Sequence, residues 1–275
     1  MMNILRKIKH KWYRVFRTSN TWDLEIHVVD HCNLGCKCCS HYSSVAPVRF
    51  YSPSELGTQL KRISPIISGH IRELHLLGGE PLLHPQIEEI VKIVRKYLPT
   101  DSISIITNGL LIPKMPASFF YTLREYNIKL SVSEYPLKFD YSDMVEHVKE
   151  KGIEIEKFHV LSKRPFQRRP LNEKGKERWF VNSFNCPMKG ICMQLYDGRL
   201  YLCAAHAYLG FLNKAFGTNF VHKKGTYLNI DDIRSINDIL RFIFLPNKAC
   251  SYCDRSKWEN IEWEQSCGAK DEWIL

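Results

Sequence analysis

The sequence has no apolar run that approaches the ~20 residues needed to cross a bilayer. Its first residues, Met1–Lys7, contain neither the apolar stretch nor the small-residue cleavage site of a secretory signal. Apolar residues make up 44% and charged residues 25% of the 275 positions, which is ordinary usage for a soluble protein and excludes wholesale disorder. These observations predict a globular protein in the cytoplasm.

Cysteine is missing from a long central stretch. Of the 10 cysteines, four lie at positions 32–39 and six between 186 and 267, with none between 40 and 185. Without a secretory signal, clustered cysteines indicate metal binding or catalysis rather than disulfides. Two groups separated by a cysteine-free body therefore predict two metal sites.

Acidic residues are fewer than basic ones, 29 against 39, and the formal net charge is +10. Six of the basic residues fall within 6–17, where apolar residues recur at helical spacing. Residues 4–17 are therefore expected to form an amphipathic helix that packs on the domain or makes peripheral membrane contact. A second basic segment, Lys163–Arg169, suits an anionic substrate, and no nucleic-acid partner is expected.

Strand and helix patterns alternate over residues 22–160, which predicts a parallel α/β sheet. After Lys163 the alternation ends, and Asp197-Gly198 between two apolar runs predicts a hairpin, followed by a helix over Asp231–Phe244. The strands are expected at Leu24–Val29, Glu73–Leu77, Ile103–Ile106, Lys129–Val132 and Ile153–Val160, and the helices at Ser54–Ile67, Pro85–Leu98, Ala117–Tyr126 and Tyr141–Lys151.

The first cysteine group contains C-x3-C-x2-C, formed by Cys32, Cys36 and Cys39. Thiolates are the usual ligands of iron–sulfur clusters, and three of them leave one iron of a 4Fe–4S cube open to another ligand. Zinc loops use C-x2-C pairs instead. Cys38 offers another choice of third ligand, but the spacing favours Cys39.

With these cysteines directly after the first strand, the sequence resembles the radical S-adenosylmethionine (SAM) superfamily over about residues 22–160. Gly78-Gly79-Glu80-Pro81 after the second strand resembles the family's GGEP motif, and Thr107-Asn108-Gly109 after the third resembles its TNG motif. One position departs from the pattern, since Cys38 stands where the family usually has an aromatic residue. The fold implied by the resemblance is a partial (β/α)6-type barrel.

The resemblance also implies cofactors and chemistry. Cys32, Cys36 and Cys39 would hold a 4Fe–4S cluster whose open iron chelates SAM, and reductive cleavage would give a 5′-deoxyadenosyl radical that abstracts hydrogen from a substrate. An electron donor such as flavodoxin or ferredoxin is expected. The residues that would bind SAM are Gly78, Gly79, Glu80, Pro81, Asn108, Ser131 and Ser133.

The second cysteine group resembles the twitch and SPASM subdomains, which carry an auxiliary 4Fe–4S cluster. The spacing points to Cys186, Cys203, Cys250 and Cys253 as ligands, with Cys192 as a substitute for Cys186. A structural zinc on the same four residues remains open. Cys192 and Cys267 either pack as buried thiols or return a hydrogen atom to a substrate radical.

These features divide the chain into a basic segment (1–21), a radical SAM core (22–180) and an auxiliary-cluster subdomain (181–275). The expected activity is dehydrogenation or epimerisation of a small polar substrate such as a sugar, aminocyclitol or nucleotide sugar. A peptide-modifying maturase and a zinc-stapled binding module are the alternatives. Among the histidines near the motifs, which are expected mainly in core or surface roles, His41 is the best candidate for a partner of a cluster ligand. Glu134 and Tyr135 either form a surface turn or face the substrate.

Overall fold

A computed structural model describes residues 22–99, 101–160 and 166–275. The proposed amphipathic helix at 4–17 and positions 161–165 of the basic loop lie outside this part of the chain. The ten described strands are β1 (Asp23–Val29), β2 (Leu74–Gly78), β3 (Ile103–Thr107), β4 (Lys129–Glu134), β5 (Ile155–Val160), β6 (Phe166–Arg168), β7 (Cys192–Tyr196), β8 (Arg199–Tyr201), β9 (Leu228–Asn229) and β10 (Glu259–Ile261).

Eight strands form one mixed sheet in the order β5-β4-β3-β2-β1-β7-β8-β9. Strands β1 to β5 are parallel and alternate with helices, which confirms the α/β prediction. The described α-helices are α1 (Pro53–Ile67), α2 (Ile87–Tyr97), α3 (Ala117–Glu125), α4 (Tyr141–Glu150), α5 (Trp179–Asn185), α6 (Ala204–Ala207), α7 (Leu209–Phe216) and α8 (Ile236–Phe244).

The residues of each parallel strand alternate between two environments, because successive side chains of a strand point to opposite faces. On β1, Leu24, Ile26 and Val28 join the main hydrophobic core. Their neighbours Glu25 and His27 are buried on the other face. Buried polar residues continue across this second face, which is therefore a polar surface inside the fold: His75 on β2, Ser104 on β3, Ser131 on β4 and Gln194 on β7.

The C-terminal region extends the same sheet. Strand β7 pairs in parallel with β1, with Cys192 opposite Asp23, and β8 returns antiparallel to β7. The turn between them has positive φ at Asp197 (46°) and Gly198 (68°), which confirms the predicted hairpin. The sixth parallel strand thus lies beside β1, at the opposite end of the parallel strands from β5. Strand β6 instead pairs with β10 in a separate two-stranded sheet.

Helix α2 illustrates why the helices pack where they do. Ile87, Ile90, Val91 and Val94 recur at helical spacing and are all buried in the main core. Acidic residues lie in its first turn and basic residues in its last, which favours the helix dipole. None of the described helices is long and apolar enough to cross a membrane.

Candidate active site

The first cysteine group lies on the loop that follows β1. All ten cysteines are free thiols. The loop turns sharply at Gly35 (φ 62°) and Cys38 (φ 58°), and this curvature brings the thiols of Cys32, Cys36 and Cys39 into mutual electrostatic range. Burial and the neighbouring thiols raise the pKa of Cys32 to about 11 and that of Cys36 to about 12. The backbone amide of Leu34 donates a hydrogen bond to Cys32 Sγ at 3.4 Å.

His41 stabilises the thiolate of Cys39. Burial opposes ionisation of this thiol, but the hydrogen bond from His41 and backbone amides hold the pKa of Cys39 below its usual value. His41 Nε2 also lies 3.5 Å from a carboxylate oxygen of Glu25. The prediction that His41 supports a cluster ligand therefore agrees with its position between Glu25 and Cys39.

One compact group of potential metal ligands lies outside both cysteine groups. Among the described residues, Asp23, Glu73 and His75 each offer one ligand atom, and these atoms lie within 4.8 Å of one another. The carboxylates of that group are already paired with Arg72 and Lys157.

The backbone of Gly78 and Gly79 packs directly against the segment that leads from β1 into the cluster loop. The Gly79 amide donates to Val29 O at 2.7 Å, and the Glu80 amide donates to His31 O at 3.1 Å. A Cβ on Gly78 would lie 2.1 Å from Val29 O, and one on Gly79 would lie 1.9 Å from His31 O. Glycine is required at both positions because the backbone leading to Cys32 occupies the space of a side chain.

The Glu80 carboxylate joins this turn to the end of β3. It accepts hydrogen bonds from Thr107 Oγ1 (2.7 Å), the Asn108 amide (2.9 Å) and the Leu82 amide (3.0 Å). The side chain is buried, and this burial raises the pKa of Glu80 to about 7 despite the three donors. Glu80 thus connects the GGEP-like turn after β2 to the TNG-like turn after β3.

The other residues expected to bind SAM lie around the same strand ends. Asn108 Nδ2 donates to Asn33 Oδ1 at 2.8 Å, which places the end of β3 beside the cluster loop. Pro81 begins a short 3₁₀ helix directly after Glu80 and is buried. Ser131 is buried on β4, and Ser133 near the end of the same strand is partly exposed. Tyr135, just past β4, is within range of all three thiols of the first group.

A C-terminal segment covers the cluster loop. The Lys37 amide donates to Glu264 O at 2.9 Å, and the Ser266 amide donates to Gly35 O at 2.7 Å, so the segment pairs with the loop as a short strand would. Trp273 Nε1 donates to Cys39 O at 3.0 Å. These contacts were not foreseen, because no local pattern in the sequence links residues more than 200 positions apart.

The four cysteines expected to hold an auxiliary cluster lie near one another. Cys186, Cys203, Cys250 and Cys253 line one small cavity of about 30 Å³, and the thiol of Cys253 interacts electrostatically with the other three. Burial and the other thiols raise the pKa of Cys203 to about 12. Four thiols that line one cavity, from segments far apart in sequence, are suited to hold a metal cluster.

A larger cavity of about 320 Å³ is lined by residues of both cysteine groups. Cys39 contributes from the first group, and Cys186, Cys203 and Cys253 contribute from the second. The polar face of the sheet contributes Glu25, Cys192 and Gln194, and Arg169, Trp258 and Trp273 also line the cavity.

The two cysteines considered as hydrogen donors differ in their relation to this cavity. Cys192 lines the large cavity, where its thiol hydrogen-bonds Glu25 and burial raises its pKa. Cys267 is exposed, does not line that cavity, and its Sγ lies 3.2 Å from Glu272 Oε1.

Glu25 and Gln194 line the large cavity but were not predicted from the sequence. The position of Glu25, a charged residue between Leu24 and Ile26 in a strand expected to be buried, could have indicated a functional role.

The region that contains the first cysteine group matches a known protein family. Residues 26–134 match the model of the Radical SAM superfamily, whose members use a 4Fe–4S cluster and S-adenosylmethionine. The match includes the first cysteine group and both glycine motifs.

Curated relatives resemble one part of the chain. The GTP 3′,8-cyclase of Microcystis aeruginosa is 32% identical over 112 residues, which are 39% of this chain and 33% of that protein. The GTP 3′,8-cyclase 1 of Mycobacterium tuberculosis is 33% identical over 101 residues, 33% of this chain and 26% of the relative. The chain thus spans about a third of the length of these relatives or less.

A solved structure resembles nearly the whole chain. The crystal structure of BtrN in complex with AdoMet and 2-DOIA superposes with a TM-score of 0.53 and 18% sequence identity, over 92% of this chain and 98% of that one. At this identity the likeness concerns the fold.

Gly79→Ala is expected to destabilise the chain by about 1–3 kcal/mol, because its Cβ cannot fit 1.9 Å from His31 O. Iron retained by the cluster loop should fall as well. Denaturant unfolding and iron content after anaerobic reconstitution measure the two effects. The control is Gly210→Ala in α7, where a Cβ meets nothing within 4 Å and alanine favours the helix. Equal stability and iron content in both variants would contradict this account of Gly79.

Proposed function

Because residues 26–134 form a domain of the radical SAM superfamily, we propose that the chain uses SAM to abstract a hydrogen atom from a small polar substrate held between its two cysteine groups. Abstraction is followed by oxidation of the substrate. The observation that carries the proposal is the cavity of about 320 Å³, which is lined both by Cys39 of the first cysteine group and by Cys186, Cys203 and Cys253 of the second.

The first group of residues fits the family's cofactors. Cys32, Cys36 and Cys39 would hold the 4Fe–4S cluster. The residues that would bind SAM are Gly78, Gly79, Glu80, Pro81, Asn108, Ser131 and Ser133, which lie at the ends of β2, β3 and β4. Bound together, these cofactors supply a 5′-deoxyadenosyl radical. Glu80 contributes by fixing the strand ends through three hydrogen bonds, so that the cofactor site is rigid.

The cavity favours a small polar substrate over a peptide. Its volume is at the lower end of the range for small-molecule sites, about 300–1,000 Å³. Glu25 and Gln194 offer hydrogen bonds on the sheet side, and Arg169 offers a cation on the other. Burial lowers the pKa of Arg169, while the nearby thiols oppose that shift. A hydroxylated or anionic substrate matches these groups, and Trp258 and Trp273 add apolar surface to the lining.

The second group of cysteines would hold an auxiliary cluster. Cys186, Cys203, Cys250 and Cys253 line one small cavity, and four thiolates are the usual ligand set of a 4Fe–4S cluster. A redox-active group at this site is consistent with oxidation of the substrate.

Epimerisation is a second candidate, favoured by one observation. Cys192 lies in the wall of the large cavity, so its thiol could return a hydrogen atom to a substrate radical. Burial, together with the charge of Glu25 and a hydrogen bond to it, raises the pKa of Cys192, which favours the protonated thiol that a hydrogen donor needs.

Iron counting tests the two-cluster proposal. We expect about eight irons per chain after anaerobic reconstitution with iron and sulfide, and about four in a Cys32→Ala/Cys36→Ala/Cys39→Ala variant. Only the unmodified chain should release 5′-deoxyadenosine from SAM under dithionite. Cys38→Ala is the control, since it should keep all the iron. Four irons plus one zinc in the unmodified chain would exclude the auxiliary cluster, and no 5′-deoxyadenosine would exclude the radical chemistry.

The role of Cys192 is tested by isotope incorporation. If the chain is an epimerase, aminocyclitol or sugar substrates turned over in D2O should carry deuterium at the inverted carbon. Cys192→Ser should abolish that label while leaving the iron content unchanged, and Cys267→Ser should preserve it because Cys267 lies outside the cavity. An oxidised, unlabelled product from the unmodified chain would instead identify a dehydrogenase.

A further inference from the structure

Trp263 lies on the C-terminal segment that covers the cluster loop. Close to it, Gln265 forms an antiparallel bridge with Cys36, and the Ser266 amide donates a hydrogen bond to Gly35 O at 2.7 Å. These contacts join backbone to backbone. The segment is therefore fixed against the loop without a contribution from the Trp263 side chain.

The indole N–H of Trp263 is buried without an acceptor of its own. Nε1 makes no hydrogen bond of normal length and angle among the residues that the structure describes. A buried polar group of this kind is costly unless something accepts its hydrogen. The neighbouring acceptor is the Cys36 sulfur, since burial raises the pKa of this thiol and the Trp263 N–H opposes the rise by favouring the thiolate.

Tyr135 reaches the same sulfur from the end of β4. Its ring lies 5.5 Å from the Trp263 ring, centroid to centroid, with an angle of 59° between the two planes. Its hydroxyl also favours the thiolate of Cys36 as a hydrogen-bond donor. Two donors from distant parts of the chain thus meet at one proposed cluster ligand.

We propose that Trp263 and Tyr135 donate hydrogen bonds to the sulfur atoms of the first cluster around Cys36 and thereby raise its reduction potential. This inference rests on the proposed function, which places that cluster on Cys32, Cys36 and Cys39. Reduction adds one electron, and so one negative charge, to the cluster. Hydrogen bonds to its sulfurs stabilise the more negative form, which makes the cluster easier to reduce.

Trp263 also covers the loop, and this packing role has an effect of the opposite sign. Water stabilises the more negative, reduced form of a cluster, so loss of a cover raises the reduction potential. Loss of a hydrogen bond lowers it. The sign of the shift therefore separates hydrogen-bond donation by the indole from exclusion of water by its ring.

A mediated redox titration of the anaerobically reconstituted full chain, followed by EPR, tests the proposal. The first cluster is recognised because its signal changes when SAM binds the open iron. In Trp263→Phe, which keeps an aromatic ring and removes the N–H, the equilibrium constant for one-electron reduction should fall about tenfold, a drop of about 59 mV in midpoint potential. Tyr135→Phe, which removes a single oxygen atom, should shift the potential in the same direction.

Electron–nuclear double resonance gives a second readout that does not depend on the potential. After exchange into D2O, the reduced first cluster of the unmodified chain should show deuterium couplings from the groups that are hydrogen-bonded to its sulfurs. Trp263→Phe and Tyr135→Phe should each lack one of these couplings. If Trp263→Phe does not retain iron, the smaller change in Tyr135→Phe decides the result.

Each variant has a matched control away from the first cysteine group. Trp179→Phe changes a tryptophan on α5, and Tyr121→Phe removes a hydroxyl from a residue that is 59% exposed on α3; neither residue lines the large cavity. Both controls should keep the midpoint potential and the deuterium couplings of the unmodified chain. Iron content shows whether each variant is loaded.

An unchanged or raised potential, or a full set of deuterium couplings, in Trp263→Phe or Tyr135→Phe would overturn the assignment of that residue as a donor. Failure of the proposed function would be seen in the unmodified chain instead. It would appear there as missing iron, as an EPR signal that SAM does not change, or as missing 5′-deoxyadenosine under dithionite.

Discussion

The site depends on a contact between two stretches of backbone. The turn after β2 lies so close to the chain leaving β1 that neither Gly78 nor Gly79 can carry a side chain. Two hydrogen bonds across this contact hold Val29 and His31, and the cysteine loop begins directly afterwards. The Glu80 carboxylate extends the connection to the end of β3. The position of Cys32 is thus determined by three strand ends at once.

A second feature is the polar inner face of the sheet. Glu25, His75 and Gln194 are buried there among hydrogen-bond partners, which is costly unless those partners are present. The face places polar groups at fixed positions against the large cavity. Preorganised groups of this kind lose little entropy when a substrate binds, because their orientation is already set by the fold.

Local patterns predicted much of the fold. The strand–helix alternation, the cysteine spacing and the Asp197-Gly198 turn were each visible within a few residues. The predicted helix over Asp231–Phe244 begins later, at Ile236, because Asp238 accepts hydrogen bonds from the Ser235 backbone and caps the helix there. The glycine pair was expected to allow approach of a ligand, whereas the described neighbours that require it are backbone atoms of β1 and its loop.

Long-range arrangements were less accessible to sequence reasoning. The cysteine spacing indicated that Cys186 to Cys253 form one group, but it carried no information on which strand β7 would join. Pairing of β7 with β1 is what brings Cys192 and Gln194 beside Glu25. That register is determined by packing across the whole sheet, which short sequence windows do not encode.

The segment around Glu264–Ser266 also bears on assembly of the protein. Its hydrogen bonds to Gly35 and Lys37 join residues separated by more than 220 positions, so they cannot form until nearly the whole described chain has been synthesised and folded. During synthesis the cysteine loop therefore remains uncovered on this side. Closure of the segment over the loop is therefore a late step in folding.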